Sequence, residues 1–122
     1  MANEATQLQK QAAEQQATLL AYLRQVDQVR IQIQNLATAG RYKTVTLTAL
    51  EGIPDAPTYK SIGKSYVLCP RDKLTEEIAS SIKKSEKHLE KLQELLSSSQ
   101  SKQKDAEEKL ADTLKALQSA MG

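Results

Sequence analysis

The residues able to do chemistry are few and scattered. Gly63-Lys64-Ser65 has the ending of a phosphate-binding loop, in which backbone amides cradle phosphates and the lysine reaches them. The first glycine of that motif would fall at Thr58. The residues after it, Tyr66-Val67-Leu68, read as a strand where a helix N-terminus is required to hold an anion. The tripeptide therefore reads as a turn. His88, the sole histidine, stands among Lys and Glu with no convergent partner, so neither acid–base nor metal service is indicated. Cys69 is alone, which excludes an intrachain disulfide and a multi-cysteine metal site, and it reads as a packed or idle thiol. The carboxylates are spread out with no ligand spacing. No catalytic residue, metal or cofactor is expected, and the chain reads as a non-enzyme.

The strongest signal is instead apolar periodicity. Leu8, Ala12, Gln15, Leu19, Tyr22, Val26, Val29, Ile33 and Leu36 alternate by four and three, the spacing of a coiled-coil seam, and only Gln15 among them is frankly polar. A second ladder keeps the same period through Ile78, Ile82, Ser85, Leu89, Leu92, Leu96, Ser99, Gln103, Ala106, Leu110, Thr113, Leu117 and Ala120. A first helix is predicted over residues 5–39, with Gly40 as its C-terminal stop, and a second over 70–120, opened by Pro70 with Asp72 in its first turn. Two such helices can fold back on each other. With Leu36 against Ile78 at the base, antiparallel pairing brings Gln15 near Ser99 and Ala12 near Gln103.

Composition agrees with helices that bury one stripe rather than a compact core. Of 122 residues 3% are aromatic, with no Trp and no Phe, so few large side chains are available and oligomerisation is expected. Net charge is +2, from 17 basic and 15 acidic residues of interleaved sign, as in Lys83-Lys84-Ser85-Glu86-Lys87, which is the pattern of a solvated helix face. Neither ladder is preceded by a dense basic block, so nucleic-acid binding is not expected. No stretch approaches the roughly 20 apolar residues that span a bilayer, and the start of the chain lacks a basic and then apolar leader. A soluble, cytoplasmic chain without membrane contact is expected.

Between the ladders, residues 40–57 form a connector. Thr44-Val45-Thr46-Leu47-Thr48 alternates like a strand, whereas Thr48-Ala49-Leu50-Glu51 has the spacing of a capping box and reads as a short helix stopped by Gly52 and Pro54; the helix is favoured. Residues 58–69 read as a β-hairpin with Gly63-Lys64 as a type II′ turn, glycine first because it accepts positive φ. In that register Tyr59 faces Leu68 and Ser61 faces Tyr66 on the side expected to be buried, while Lys60 faces Val67 and Ile62 faces Ser65. A two-stranded ribbon is marginal alone, so its open edges imply partner strands.

The far ends of the ladders carry Met1, Ala5 and Leu8 on one helix and Leu110, Leu114, Leu117 and Met121 on the other. These either close the seam or leave apolar surface exposed for binding. Leu114 is one position off the strict seam, which widens the stripe beyond a two-helix contact.

The order of these parts resembles the β-type subunits of the prefoldin family. Tyr59-Lys60-Ser61-Ile62-Gly63-Lys64-Ser65-Tyr66-Val67-Leu68, followed at once by a long helix, is similar to that family's aromatic residue, apolar-Gly-basic turn, second aromatic and two aliphatics. Tyr66 stands where Phe is commoner. The resemblance implies a mostly α fold, in which a long antiparallel two-helix coiled coil is joined by a single β-hairpin that enters an oligomeric β-barrel. It implies a hetero-hexamer of two α-type and four β-type subunits, with Tyr59, Ile62, Gly63, Tyr66, Val67 and Leu68 assembling the barrel. It further implies ATP-independent capture of unfolded proteins such as actin and tubulin by the coiled-coil tips, here Leu8, Leu110, Leu114, Leu117 and Met121, and delivery to the cytosolic chaperonin. The residues by themselves also suit a coiled-coil structural tether or adaptor that docks a folded partner and holds no client.

Overall fold

The computed structural model describes residues 2–122; Met1, placed above at a distal end, lies outside the described residues. Four elements follow in order: α1 (Ala2–Glu51), β1 (Tyr59–Ile62), β2 (Ser65–Leu68) and α2 (Arg71–Met121). They divide into two compact units. One combines residues 2–31 of α1 with 93–121 of α2 and Gly122; the other comprises residues 32–92 and contains the hairpin. Among the described residues no helix is long and apolar enough to cross a membrane.

Every position of both predicted ladders is at least partly withdrawn from solvent, and the same spacing continues on α1 through Gly40, Lys43, Leu47 and Leu50. That continuation corrects the expected end of the first helix. Glycine inside a helix costs only about 1 kcal/mol relative to alanine, and the half-buried Leu47 and Leu50 beyond it add contacts that offset this cost. The alternating threonines do not form a strand. Thr44, Thr46 and Thr48 turn their hydroxyls back and donate to the carbonyls of Gly40, Tyr42 and Thr44, at 3.0, 2.9 and 3.0 Å, which satisfies them within the helix. The short helix anticipated at 48–51 is thus the last turn of α1. It ends where Gly52 donates to the carbonyls of Thr48 and Ala49 and Pro54 cannot continue the ladder. The second helix begins at Arg71, one residue later than expected, with the Pro70 carbonyl accepting from Leu74 N–H at 3.0 Å.

In the unit of residues 2–31 and 93–122, the seam is closed. Val26 and Val29 are 3% and 4% exposed, Ala12 and Ala106 are buried, and Ser99 is 1% exposed. Each fully buried valine contributes roughly 1.5–3 kcal/mol. Gln15, Thr18 and Tyr22 line a groove with Lys102, Asp105, Ala106 and Lys109, so the stretch of α2 that Gln15 shares a groove with lies beyond Ser99, its anticipated neighbour. Gln15 Oε1 is buried without a hydrogen-bond partner. In the unit of residues 32–92, Leu36 shares a groove with Ile82, Ser85 and Leu89. Leu89 lies about three helical turns beyond Ile78, the partner anticipated for Leu36. Both shifts follow from the late end of α1. A helix that runs longer before turning back meets α2 further along it.

Candidate functional site

The hairpin is built by local chemistry. Its strands pair antiparallel as Tyr59↔Leu68, Lys60↔Val67, Ser61↔Tyr66 and Ile62↔Ser65, the register expected from a two-residue loop at Gly63-Lys64. Gly63 has φ +59°, and no other described residue has positive φ. Positive φ at the first loop position alone is the signature of a type II′ turn. A Cβ at Gly63 would meet open space, so the requirement for glycine is conformational and not one of room. The Gly-Lys-Ser tripeptide is accordingly this turn, with Ser65 opening β2.

One more pair closes the base of the ribbon. Cys69 N–H donates to the Thr58 carbonyl at 2.9 Å, and the hydroxyl of the buried Thr58 donates to the Cys69 carbonyl at 2.5 Å. Lys60 Nζ lies 3.0 Å from Glu77 Oε2 on α2. The hydrogen bond to Glu77 and its negative charge raise the lysine pKa above the ordinary 10.5. Arg71, at the first position of α2, sends Nη1 to the Leu50 carbonyl and Nη2 to those of Ile53 and Ala56, the last at 2.8 Å.

The expectation that one face of the hairpin is buried is not met. All eight strand residues are exposed, including both Tyr59 (56%) and Tyr66 (76%), and Ile62, Val67 and Leu68 with them. Among the described residues the sheet has two strands, so each has a neighbour on one side and an unpaired edge on the other. Among the described residues no layer lies over the ribbon. Tyr59 and Tyr66 also border an apolar hollow lined by Leu50, Ile53, Pro57, Thr58 and Leu74.

The predicted distal residues separate into two kinds. Leu8, Leu110 and Leu117 are half-buried seam members, whereas Leu114 (48% exposed) and Met121 (66%) lie outside the seam. Exposed Leu20 and Leu95 of the same unit were not singled out by periodicity, because each sits next to a seam position and reads as part of it. Arg71 was also missed. Its signal was a cation in the first turn of a helix, where the dipole disfavours positive charge.

His88 is exposed and Cys69 half-buried. Among the described residues no group of three or more His, Cys, Asp or Glu side chains is placed to hold a metal ion. What the geometry offers is association: an uncovered apolar ribbon with open backbone edges, and apolar side chains beside a coiled-coil seam.

Comparison with known proteins agrees in kind. A family model described as prefoldin subunit matches residues 1–116. Among solved structures, the chain is similar to the prefoldin beta subunit from Thermococcus strain KS-1, with a TM-score of 0.54 and 27% identity over 90% of this chain and 91% of that one. A search of curated proteins gives no match. With a family match across nearly its whole length, and with the same helix–hairpin–helix order as a solved beta subunit, the chain belongs to the prefoldin family, whose members are chaperone subunits and not enzymes.

Proposed function

We propose that this chain is a β-type subunit of a hetero-hexameric, ATP-independent co-chaperone, and that among β-type subunits it corresponds most closely to subunit 1. In this reading the hairpin residues Tyr59, Ile62, Gly63, Tyr66, Val67 and Leu68 enter a β-barrel shared with α-type and β-type partners. Leu8, Leu110, Leu114, Leu117 and Met121 hold unfolded proteins of the actin and tubulin class, which pass to the cytosolic chaperonin, and the chain works in the cytoplasm. The observation that carries the reading is the ribbon with two unpaired edges and five exposed large apolar side chains. Neighbouring strands would satisfy the edges and cover those side chains in one step.

Client holding needs no chemistry. Several ends on one body, each binding a few apolar side chains weakly, raise the effective local concentration, so total avidity is useful while each contact releases quickly. The adaptable Met121 and the exposed Leu114 suit that role.

The test is a two-part reconstitution. Mixed with prefoldin α-type and β-type partners, the full chain forms a hexamer by native mass spectrometry, and the hexamer suppresses aggregation of chemically unfolded actin. Leu110, Leu114 and Leu117 changed together to Ser keep assembly and lose suppression. Assembly with suppression unchanged in that variant would remove the client site and leave a tether.

A further inference from the structure

We propose that Arg71 is the positioning residue that sets how the hairpin is presented for assembly; this rests on the functional reading above and extends it to a residue outside the ribbon. Between α1 and β1, residues 52–57 have no buried side chain, and burial begins only at Thr58, where the ribbon closes. Side-chain packing therefore does not hold this connector. The carbonyls of Leu50, in the last turn of α1, and Ile53, just after it, accept long turn bonds from Ile53 N–H and Ala56 N–H, 3.3 Å each, and each keeps a second lone pair for a further donor. Arg71 supplies that donor and ties down the connector. Its guanidinium reaches Leu50 in the last turn of α1 and Ile53 and Ala56 in the connector, while its own backbone begins α2.

The geometry depends on the chemistry of the fork. Two terminal nitrogens diverge in a plane and serve three carbonyls at different points along the chain, which a single ammonium cannot do from one position. The position is also informative. A cation in the first turn of α2 opposes that helix's dipole, but the same charge faces the negative, carbonyl end of α1, where it is favourable. The side chain therefore serves the end of α1 and not the start of its own helix.

Arg71 is two residues from Cys69, whose pairing with Thr58 closes the ribbon. The clamp consequently joins the exit of α1, the connector, the ribbon base and the entry of α2 at one point. The second tie, Lys60 to Glu77, is a solvent-exposed pair of point charges and holds less firmly.

The experiment uses the full chain as R71A, R71K and K60A. First, amide hydrogen exchange on the unassembled chain follows Ile53, Ala56 and Cys69. R71A speeds exchange at these amides while circular dichroism and the melting of the helices stay at wild-type values. Second, titration with prefoldin partner subunits gives the concentration at half-assembly. R71A raises it at least about tenfold, equivalent to about 1.4 kcal/mol, R71K restores less than half of the loss, and K60A changes it less than twofold.

Unchanged exchange in R71A overturns the clamp whether or not the chain assembles. Full rescue by R71K overturns the fork, because a point charge would then suffice. Loss of helicity in proportion to assembly makes Arg71 a general support and overturns positioning. A wild-type chain that fails to assemble while R71A still loosens the ribbon sinks the functional reading and leaves the clamp standing as the device that fixes the ribbon.

Discussion

The unit of residues 2–31 and 93–122 and the unit of residues 32–92 solve the same packing problem to different degrees. In the first, Ala12, Val26, Val29, Ala106, Ser99 and Thr113 are buried, and large residues alternate with small ones along the seam. In the second, Leu92 and Thr58 are the buried residues, the seam passes through Gly40 and Lys43, and Lys43 Nζ donates to Ser85 Oγ at 3.3 Å where an apolar layer would otherwise sit. None of its eight strand residues is buried. A coiled-coil segment whose stripe is covered by its partner helix is complete as it stands. A unit that leaves two tyrosines, three aliphatics and two strand edges in water is built to be finished by other chains.

The largest expected break in this contrast is Gly63→Val. A β-branched residue forced to φ near +60° costs at least about 1–2 kcal/mol, and that strain falls on a two-stranded ribbon held at its base and by one exposed ion pair. Co-assembly with partner subunits on a sizing column is expected to be lost while helical ellipticity is retained. Next, Val26→Ala removes two methyl groups from the closed seam and lowers stability by about 2 kcal/mol. Urea unfolding shows it as a shifted midpoint, without change in the ribbon's own register.

Gly40→Ala sharpens the contrast in the opposite direction. A methyl group at Gly40 meets no atom within 4 Å, so the substitution is expected to stabilise α1 by about 0.5–1 kcal/mol, measured as a higher melting temperature. The smallest effect is the pH response of the Lys60–Glu77 tie. Because the folded lysine pKa is raised, the tie is fully present below the ordinary value of 10.5 and is lost only as pH rises through the raised value. Hairpin amide exchange, corrected for its intrinsic pH dependence, is therefore expected to be flat at neutral and mildly alkaline pH and to accelerate above 10.5.

Much of this architecture is legible in the amino-acid sequence. The ladder positions, the ribbon and its residue pairing depend on interactions between near neighbours: a 4–3 apolar repeat, and a two-residue loop that begins with glycine. The exposure of both ribbon faces was not legible, because an alternating strand looks the same whether a helix, a second sheet or another subunit covers it. Leu8, Leu110 and Leu117 posed the same problem beside Leu114 and Met121, since periodicity locates a stripe without saying how wide its cover is.

By itself the sequence determined the period of the helices and the form of the turn, since both follow from stereochemistry that each residue carries with it. Only the tertiary structure decided where α1 ends and hence which residues face one another across the seam. A heptad ladder slid along its partner by whole turns still sets apolar on apolar, so its pattern is nearly degenerate in register. The choice fell to a glycine penalty of about 1 kcal/mol against the contacts made by Leu47 and Leu50, and to three carbonyls gathered by Arg71 from residues up to 21 positions away.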